Sequence, residues 1–198
     1  KWFLFLVAAL CLSACDEDAK RAISNERLTE VFGMAEHQYV MLDQQLTDST
    51  MPRTLNADGT LRTSDLNWWC SGFFPGSLWY IYEFGHSQTI STMALKQTQK
   101  LEKLLEMNTD HDIGFQLNCS YGNAYRMTGN VTCREVLVAG ARKLAQRMNP
   151  ATGVIRSWDF LRKGWKYPVI IDNMMNLELL TVGARLSGDV ELGLVART

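Results

Sequence analysis

The sequence has 198 residues, 46% of them hydrophobic, and a formal net charge of −1. This length predicts one globular domain. The near-neutral charge argues against a nucleic-acid-binding protein, which needs a basic face. The six tryptophans and six tyrosines suit a sugar-binding surface, although they suit a hydrophobic core equally well.

The first residues predict a bacterial export signal. The apolar run 2–12 is too short to span a bilayer comfortably, and small residues follow it. The segment Leu12–Cys15, Leu-Ser-Ala-Cys, resembles a lipobox, in which Cys15 becomes the lipidated first residue. We therefore expect a lipoprotein signal peptide over 1–14 and a polar tether over 15–23. The protein would be an exported lipoprotein, anchored to the envelope without spanning it, on the periplasmic or the surface side.

Helical periodicity dominates the remaining residues, 24–198. Apolar side chains recur at helical spacing between Ser24 and Leu46, which predicts a first long helix. Residues 47–67 contain Pro52 and Asp58–Gly59 and are interpreted as a long polar loop without regular structure. No stretch alternates convincingly with a period of two, so essentially no sheet is expected.

A recurrent tight turn divides the helical region into hairpins. It occurs at 84–87, 128–131 and 187–190. Each copy places a glycine at the end of one helix and a small polar residue at the start of the next. Helix, tight turn, helix and longer loop then form a repeated unit. We expect an all-α fold in which these hairpins close into a toroid or stack as a solenoid.

The longer loops all fall at the opposite end of the hairpins, so they should share one rim of the molecule. Function commonly resides on loops that a rigid scaffold holds in place. The rim is therefore the predicted position of a site, and its candidate residues are Trp69, His111, Asp112, Trp158 and Asp172.

Asp172 lies in the stretch Tyr167–Leu180, which is interpreted as a helix with Pro168 in its first turn. Its neighbours Ile171 and Met175 are apolar. A carboxylate buried among such residues would be held in its protonated form, as a general acid requires. The alternative is a solvated aspartate that the helix dipole favours, and on this segment alone the alternative is the better explanation.

His111 and Asp112 lie in the segment Asn108–Phe115, which on its own is typical of a polar turn. No second histidine lies nearby, so His111 is expected to be a structural partner and not a metal ligand. The cysteines contain no Cys-x-x-Cys pair and indicate no zinc site.

In order along the chain, four segments resemble the unsaturated glucuronyl hydrolases, glycoside hydrolase family 88. They are Trp69–Trp79, His111–Phe115, Ile155–Trp158 and Ile170–Leu177. The likeness extends from about Leu28 to Thr198 and implies an (α/α)6 toroid, in agreement with the predicted hairpins. Ser71 is a departure, because family members have a small acidic residue at this position.

The resemblance implies a glycosidase that acts on oligosaccharides left by polysaccharide lyases. Asp172 would be the acid/base that protonates C4 of the terminal unsaturated uronic acid and activates the water that adds at C5. Asp112 would be the second essential carboxylate, which binds ring hydroxyls and helps to keep Asp172 protonated. Trp69 and Trp158 would line the sugar subsite. The expected partner is an unsaturated uronic-acid oligosaccharide of the glycosaminoglycan type, and neither a metal nor an organic cofactor is implied.

Family chains are considerably longer, so residues 24–198 are expected to be the N-terminal half of the toroid domain, a piece that could be inactive alone. Three alternatives remain open. They are a sugar-binding envelope lipoprotein of helical repeats without catalysis, a helical scaffold without a ligand, and an unsaturated galacturonyl hydrolase that acts on pectin fragments.

Overall fold

The computed structural model describes residues 23–159 and 164–197. Its helices are α1 (Asn25–Asp43), α2 (Phe73–Gly85), α3 (Gln88–Lys100), α4 (Ile113–Leu117), α5 (Asn123–Thr128), α6 (Val131–Ala145), α7 (Asn173–Ser187) and α8 (Val190–Val195). Its strands are β1 (Thr50–Leu55), β2 (Leu61–Asp65), β3 (Met148–Asn149) and β4 (Val154–Ile155). The helices in these ranges are all too short or too polar to cross a membrane. The predicted signal peptide and its Cys15 lie outside the described residues.

Tight turns join α2 to α3, α5 to α6 and α7 to α8, which confirms the predicted hairpins. Gly129 and Gly188 end their helices with φ angles of 64° and 74°, a left-handed conformation that glycine adopts without steric cost. At the first turn the left-handed residue is His86, with φ 53°. Gly85 is the last residue of α2, as predicted, but the left-handed conformation falls on the residue after it.

The core lies between the packed hairpins, where α2 lies against α3 and α6 lies against α7. Trp79 is 2% exposed and donates from its indole nitrogen to Thr98 Oγ1 at 2.9 Å, as expected for a core residue. The first helix packs on α2 through two stacked ring pairs, Phe32 with Phe84 and Tyr39 with Phe74. Each buried large side chain contributes roughly 1.5–3 kcal/mol, so this packing holds the loop rim in place.

Residues 50–65 form an antiparallel hairpin, so the prediction of a loop without regular structure is wrong. Met51 pairs with Ser64 across the two strands, and a turn through Asp58–Gly59 closes them, with Gly59 at φ 83°. Pro52 lies at the register irregularity of β1, where a residue without an N–H is tolerated. Met51 is the one fully buried residue of these two strands, which explains why no alternating apolar pattern marks them.

The helix after the second β-hairpin begins later than predicted. Helix α7 starts at Asn173, Asp172 occupies its N-cap position, and the segment from Pro168 to Ile171 is a loop. Ile171 is 86% exposed and the Asp172 side chain is 37% exposed. The structure therefore agrees with the explanation preferred for this segment alone, an aspartate open to solvent at a helix N-terminus, and not with a carboxylate buried among apolar residues. The Asp172 side chain makes no capping hydrogen bond, and the positive end of the helix dipole favours its negative charge at this position.

Candidate active site

His111 is fully buried and joins two carboxylates at the loop rim. Its Nε2 lies 3.2 Å from Asp172 Oδ1 and 3.5 Å from Asp112 Oδ1. Its Nδ1 lies 2.8 Å from the carbonyl oxygen of Ser157. Because a carbonyl oxygen can only accept, Nδ1 must carry a proton and donate it. One imidazole thus connects the segment before α4, the segment after β4 and the start of α7.

Asp112 is the buried carboxylate of this cluster, with 7% of the residue exposed. The backbone N–H of Asp112 donates to Asp110 Oδ1 at 2.9 Å. The side-chain amide nitrogen of Asn176 lies 3.5 Å from Asp112 Oδ1. Burial raises the pKa of Asp112 to about 6, against the opposing charge of His111. The negative charges of Asp110 and Asp172 act in the same direction as burial. The cluster therefore retains a proton at a pH where a free aspartate would have lost it.

Close contact between α4 and α7 fixes the spacing of the two acids. Asn176 is 1% exposed, and its Oδ1 accepts the backbone N–H of Phe115 at 2.8 Å. A Cβ on Gly114 would lie 2.5 Å from that same Oδ1, so a glycine is required for this approach. Sequence reasoning assigned no role to Asn176. Its position one helical turn after Asp172 could have indicated it, because residues at this spacing share a helix face.

Arg147 fastens two of the rim loops together, and it was not predicted. Its guanidinium makes hydrogen bonds of 2.9–3.2 Å to the carbonyl oxygens of Thr109, Arg156 and Ser157 and to the Asp159 carboxylate. These bonds link the loop that carries His111 to the segment that carries Trp158. No sequence pattern marks Arg147, because most of its partners are backbone atoms.

The predicted aromatic residues occupy two positions around the acids. The Trp158 ring packs edge-on against His111, with centroids 5.8 Å apart. Trp69 is 45% exposed and is linked to α4 through a chain of ring contacts. Its centroid is 5.6 Å from that of Phe73, which is 6.0 Å from that of Phe115 at α4. The structure therefore brings Trp158 against the imidazole that joins the two acids and places Trp69 further along the rim.

The same cluster fits a metal ion poorly. Asp110, His111 and Asp112 offer ligand atoms within 4.8 Å of one another. However, both ring nitrogens of His111 already face hydrogen-bond partners, and Asp110 accepts a backbone N–H. A metal would have to displace these bonds, so the donor set is better suited to proton transfer.

Comparison with curated proteins identifies relatives over much of the chain. An unsaturated glucuronyl hydrolase of Formosa agariphila is 42% identical over 122 residues, which are 61% of this chain and 30% of the relative. An unsaturated chondroitin disaccharide hydrolase of Streptococcus pneumoniae is 30% identical over 152 residues, 75% of this chain and 38% of the relative. A scan against protein-family models finds no match.

Solved structures match the fold. The crystal structure of an unsaturated glucuronyl hydrolase specific for heparin has a TM-score of 0.81 at 39% identity, covering 88% of this chain and 46% of that one. The enzyme from Streptococcus agalactiae has a TM-score of 0.78 at 26% identity, covering 89% and 45%. The fold is thus of the all-α (α/α)6 toroid class, with an acid pair on its loop rim. Over the part that it covers, the chain matches the unsaturated glucuronyl hydrolase family, and it spans less than half the length of the relatives named here.

Proposed function

We propose that this chain carries the acid/base part of an active site that hydrates the C4=C5 double bond of an unsaturated uronic acid at the non-reducing end of an oligosaccharide. The observation that carries the proposal is the contact of His111 with Asp172 and Asp112. The names of the relatives support this substrate class and favour glycosaminoglycan fragments over pectin fragments.

Asp172 is assigned as the acid because its side chain is 37% exposed and can reach a substrate, whereas that of Asp112 is 9% exposed. In the first step the Asp172 carboxyl gives its proton to C4. The π electrons form the new C4–H bond, and positive charge spreads over C5 and the ring oxygen. The Asp172 carboxylate then accepts a proton from water as the water oxygen bonds to C5, which restores the acid. The hemiketal product opens spontaneously and releases the neighbouring sugar.

The other rim residues would bind and orient the sugar. Asp112 would accept hydrogen bonds from ring hydroxyls. Trp158, next to the acids, would pack against the unsaturated ring. Trp69, further along the rim, would pack against a more distant part of the oligosaccharide.

A reaction with an unsaturated uronic-acid thioglycoside, whose bond at C1 resists direct hydrolysis, tests this chemistry, with an unsaturated chondroitin disaccharide as the reference substrate. The proposal predicts that the C4=C5 double bond of the thioglycoside is still consumed, with deuterium at C4 of the uronic-acid product in D2O, because the reaction begins at C4 and C5 and not at C1. A thioglycoside that keeps its double bond while the disaccharide is cleaved would contradict the proposal. The longest natural form of the protein that contains this chain should be used, since the relatives are longer.

We also propose that the protein is exported and lipidated at Cys15, as the segment Leu12–Cys15 predicts. Metabolic labelling with a fatty acid tests this. The label should be lost in Cys15→Ser and retained in Cys70→Ser, a control at a free thiol. Equal labelling of both variants would contradict the lipid anchor.

A further inference from the structure

The imidazole that joins the two acids is itself anchored from behind. The Nδ1 and the backbone nitrogen of His111 lie 2.8 and 3.1 Å from the carbonyl oxygen of Ser157. The hydroxyl of Ser157 accepts the backbone N–H of Ile170 at 3.0 Å and the side-chain amide of Asn173 at 3.2 Å. The residue that anchors the imidazole is therefore tied to both sides of Asp172.

This anchoring restricts where protons can lie. With Nδ1 protonated, Nε2 faces both oxygens of Asp172, at 3.2 and 3.3 Å. A hydrogen bond there needs at least one proton between the two groups. A single proton lies either on Nε2, as an imidazolium that faces a carboxylate, or on Asp172, as an acid that faces a neutral imidazole. With no proton the Nε2 lone pair would face a carboxylate and the hydrogen bond would be lost. With two protons Nε2–H would still donate to the carbonyl oxygen of the acid, but the buried imidazolium would lose the carboxylate charge opposite it.

We propose that His111 is a positioning residue, whose Nε2 holds the Asp172 carboxyl in one orientation and shares with it the proton used in the reaction. His111 is fully buried and acts through Asp172. The other charged groups around it are Asp110, Asp112 and Arg147, the last of which donates to the same Ser157 carbonyl. The predicted effect of His111 on the reaction rate rests on the proposed function, whereas the predicted position of the protons on its imidazole does not.

Nuclear magnetic resonance of the histidine nitrogens tests the proton position without any substrate. The chain has three histidines, so 15N-histidine labelling can resolve each imidazole. The inference predicts a protonated Nδ1 in His111 at every pH at which the chain is folded. It also predicts that Asp172→Asn changes how the Nε2 signal of His111 responds to pH. The exposed His37 is the internal control and should respond identically in both proteins.

Two results of that experiment would overturn the inference. One is an unprotonated Nδ1 in His111, and the other is an Nε2 response that Asp172→Asn leaves unchanged. Either result stands whether or not the protein turns over substrate, so failure of this inference is distinguishable from failure of the proposed function.

A kinetic variant separates positioning from a purely structural role. His111→Gln should lower kcat about 100-fold, the loss expected when a reactive group moves by about 1 Å. The KM should change little and the pH profile of kcat should change, because the proton-sharing partner is gone. The matched variant His37→Gln should leave both unchanged. A folded His111→Gln protein with the wild-type kcat and pH profile would contradict the inference, and if this variant does not fold, the resonance experiment decides.

Discussion

Gly114 and Asn176 lie so close that a Cβ on Gly114 would come within 2.5 Å of Asn176 Oδ1. This contact joins α4 to α7, and each helix has one of the two acids at its start, Asp112 and Asp172. The distance between the acids therefore depends on the absence of a side chain at Gly114.

Replacing that glycine should both loosen the helix contact and separate the acids. Gly114→Ala is expected to lower the free energy of unfolding by about 1–3 kcal/mol, the usual cost of overpacking. Urea unfolding measures this change. The matched control is Gly33→Ala in α1, where nothing lies within 4 Å of an added Cβ, and it should stabilise by about 0.5–1 kcal/mol. Equal effects of the two substitutions would contradict the account.

Arg147 is expected to be a structural requirement of the rim. Arg147→Lys keeps the charge but loses the planar fork that reaches several carbonyl oxygens at once. A hydrogen bond to a charged group is worth about 1.5–3 kcal/mol, so we expect a loss of roughly that size in the free energy of unfolding. Arg142→Lys on the exposed face of α6, with one ion pair at 3.4 Å to Asp189, should change it by less than about 1 kcal/mol. Similar losses in both variants would show that the network around Arg147 adds no stability.

Asp112 should make the fold less stable as the pH rises from about 4 to about 6. Its pKa is raised to about 6, mainly by burial, so the native state binds this proton more tightly than the unfolded chain does. The resulting stabilisation is fully present below the pKa that Asp112 has in the unfolded chain, and it is lost as the pH rises through the pKa that Asp112 has in the folded protein. At about 1.4 kcal/mol per pKa unit, the loss amounts to about 3 kcal/mol.

Urea unfolding of the wild type and of Asp112→Asn across this pH window isolates the effect of the Asp112 cluster, because carboxyl groups other than Asp110 and Asp172 titrate equally in both proteins. The wild type should lose stability relative to the variant as the pH rises. Asp58→Asn serves as a control of opposite sign, because hydrogen bonds from Thr60 lower the pKa of Asp58. A difference between wild type and Asp112→Asn that does not depend on pH would contradict the assignment.

The hairpin fold was predictable because its turns carry local signals. Gly129 and Gly188 adopt left-handed angles that few other residues tolerate, and apolar periodicity marks the helices on either side. The segment His111–Phe115 was also predictable, because several of its residues have roles in the site. His111 contacts both acids, Asp112 is one of these acids, and Gly114 leaves room for Asn176.

The parts that could not be predicted depend on contacts between distant segments. In the strands of the first β-hairpin only Met51 is buried. These strands therefore lack the alternation of apolar and polar residues that indicates a strand. Arg147 recognises carbonyl oxygens, which every residue possesses, and its role therefore leaves no pattern in the sequence. The start of α7 was misplaced because Pro168 suits a first helical turn, whereas loop contacts to Ser157 keep the chain extended up to Ile170.

The most direct test of the account compares Asp172→Asn with Asp189→Asn. The two aspartates occupy the N-cap positions of consecutive helices, neither side chain makes a capping bond, and their exposures are 37% and 29%. The measurement is the loss of ultraviolet absorbance of the C4=C5 double bond in an unsaturated chondroitin or heparin disaccharide. We expect the wild type and Asp189→Asn to consume the double bond at the same rate, and Asp172→Asn to be slower by about 100-fold or more, as for loss of a general acid. An Asp172→Asn protein that consumes the double bond at the wild-type rate would contradict the account.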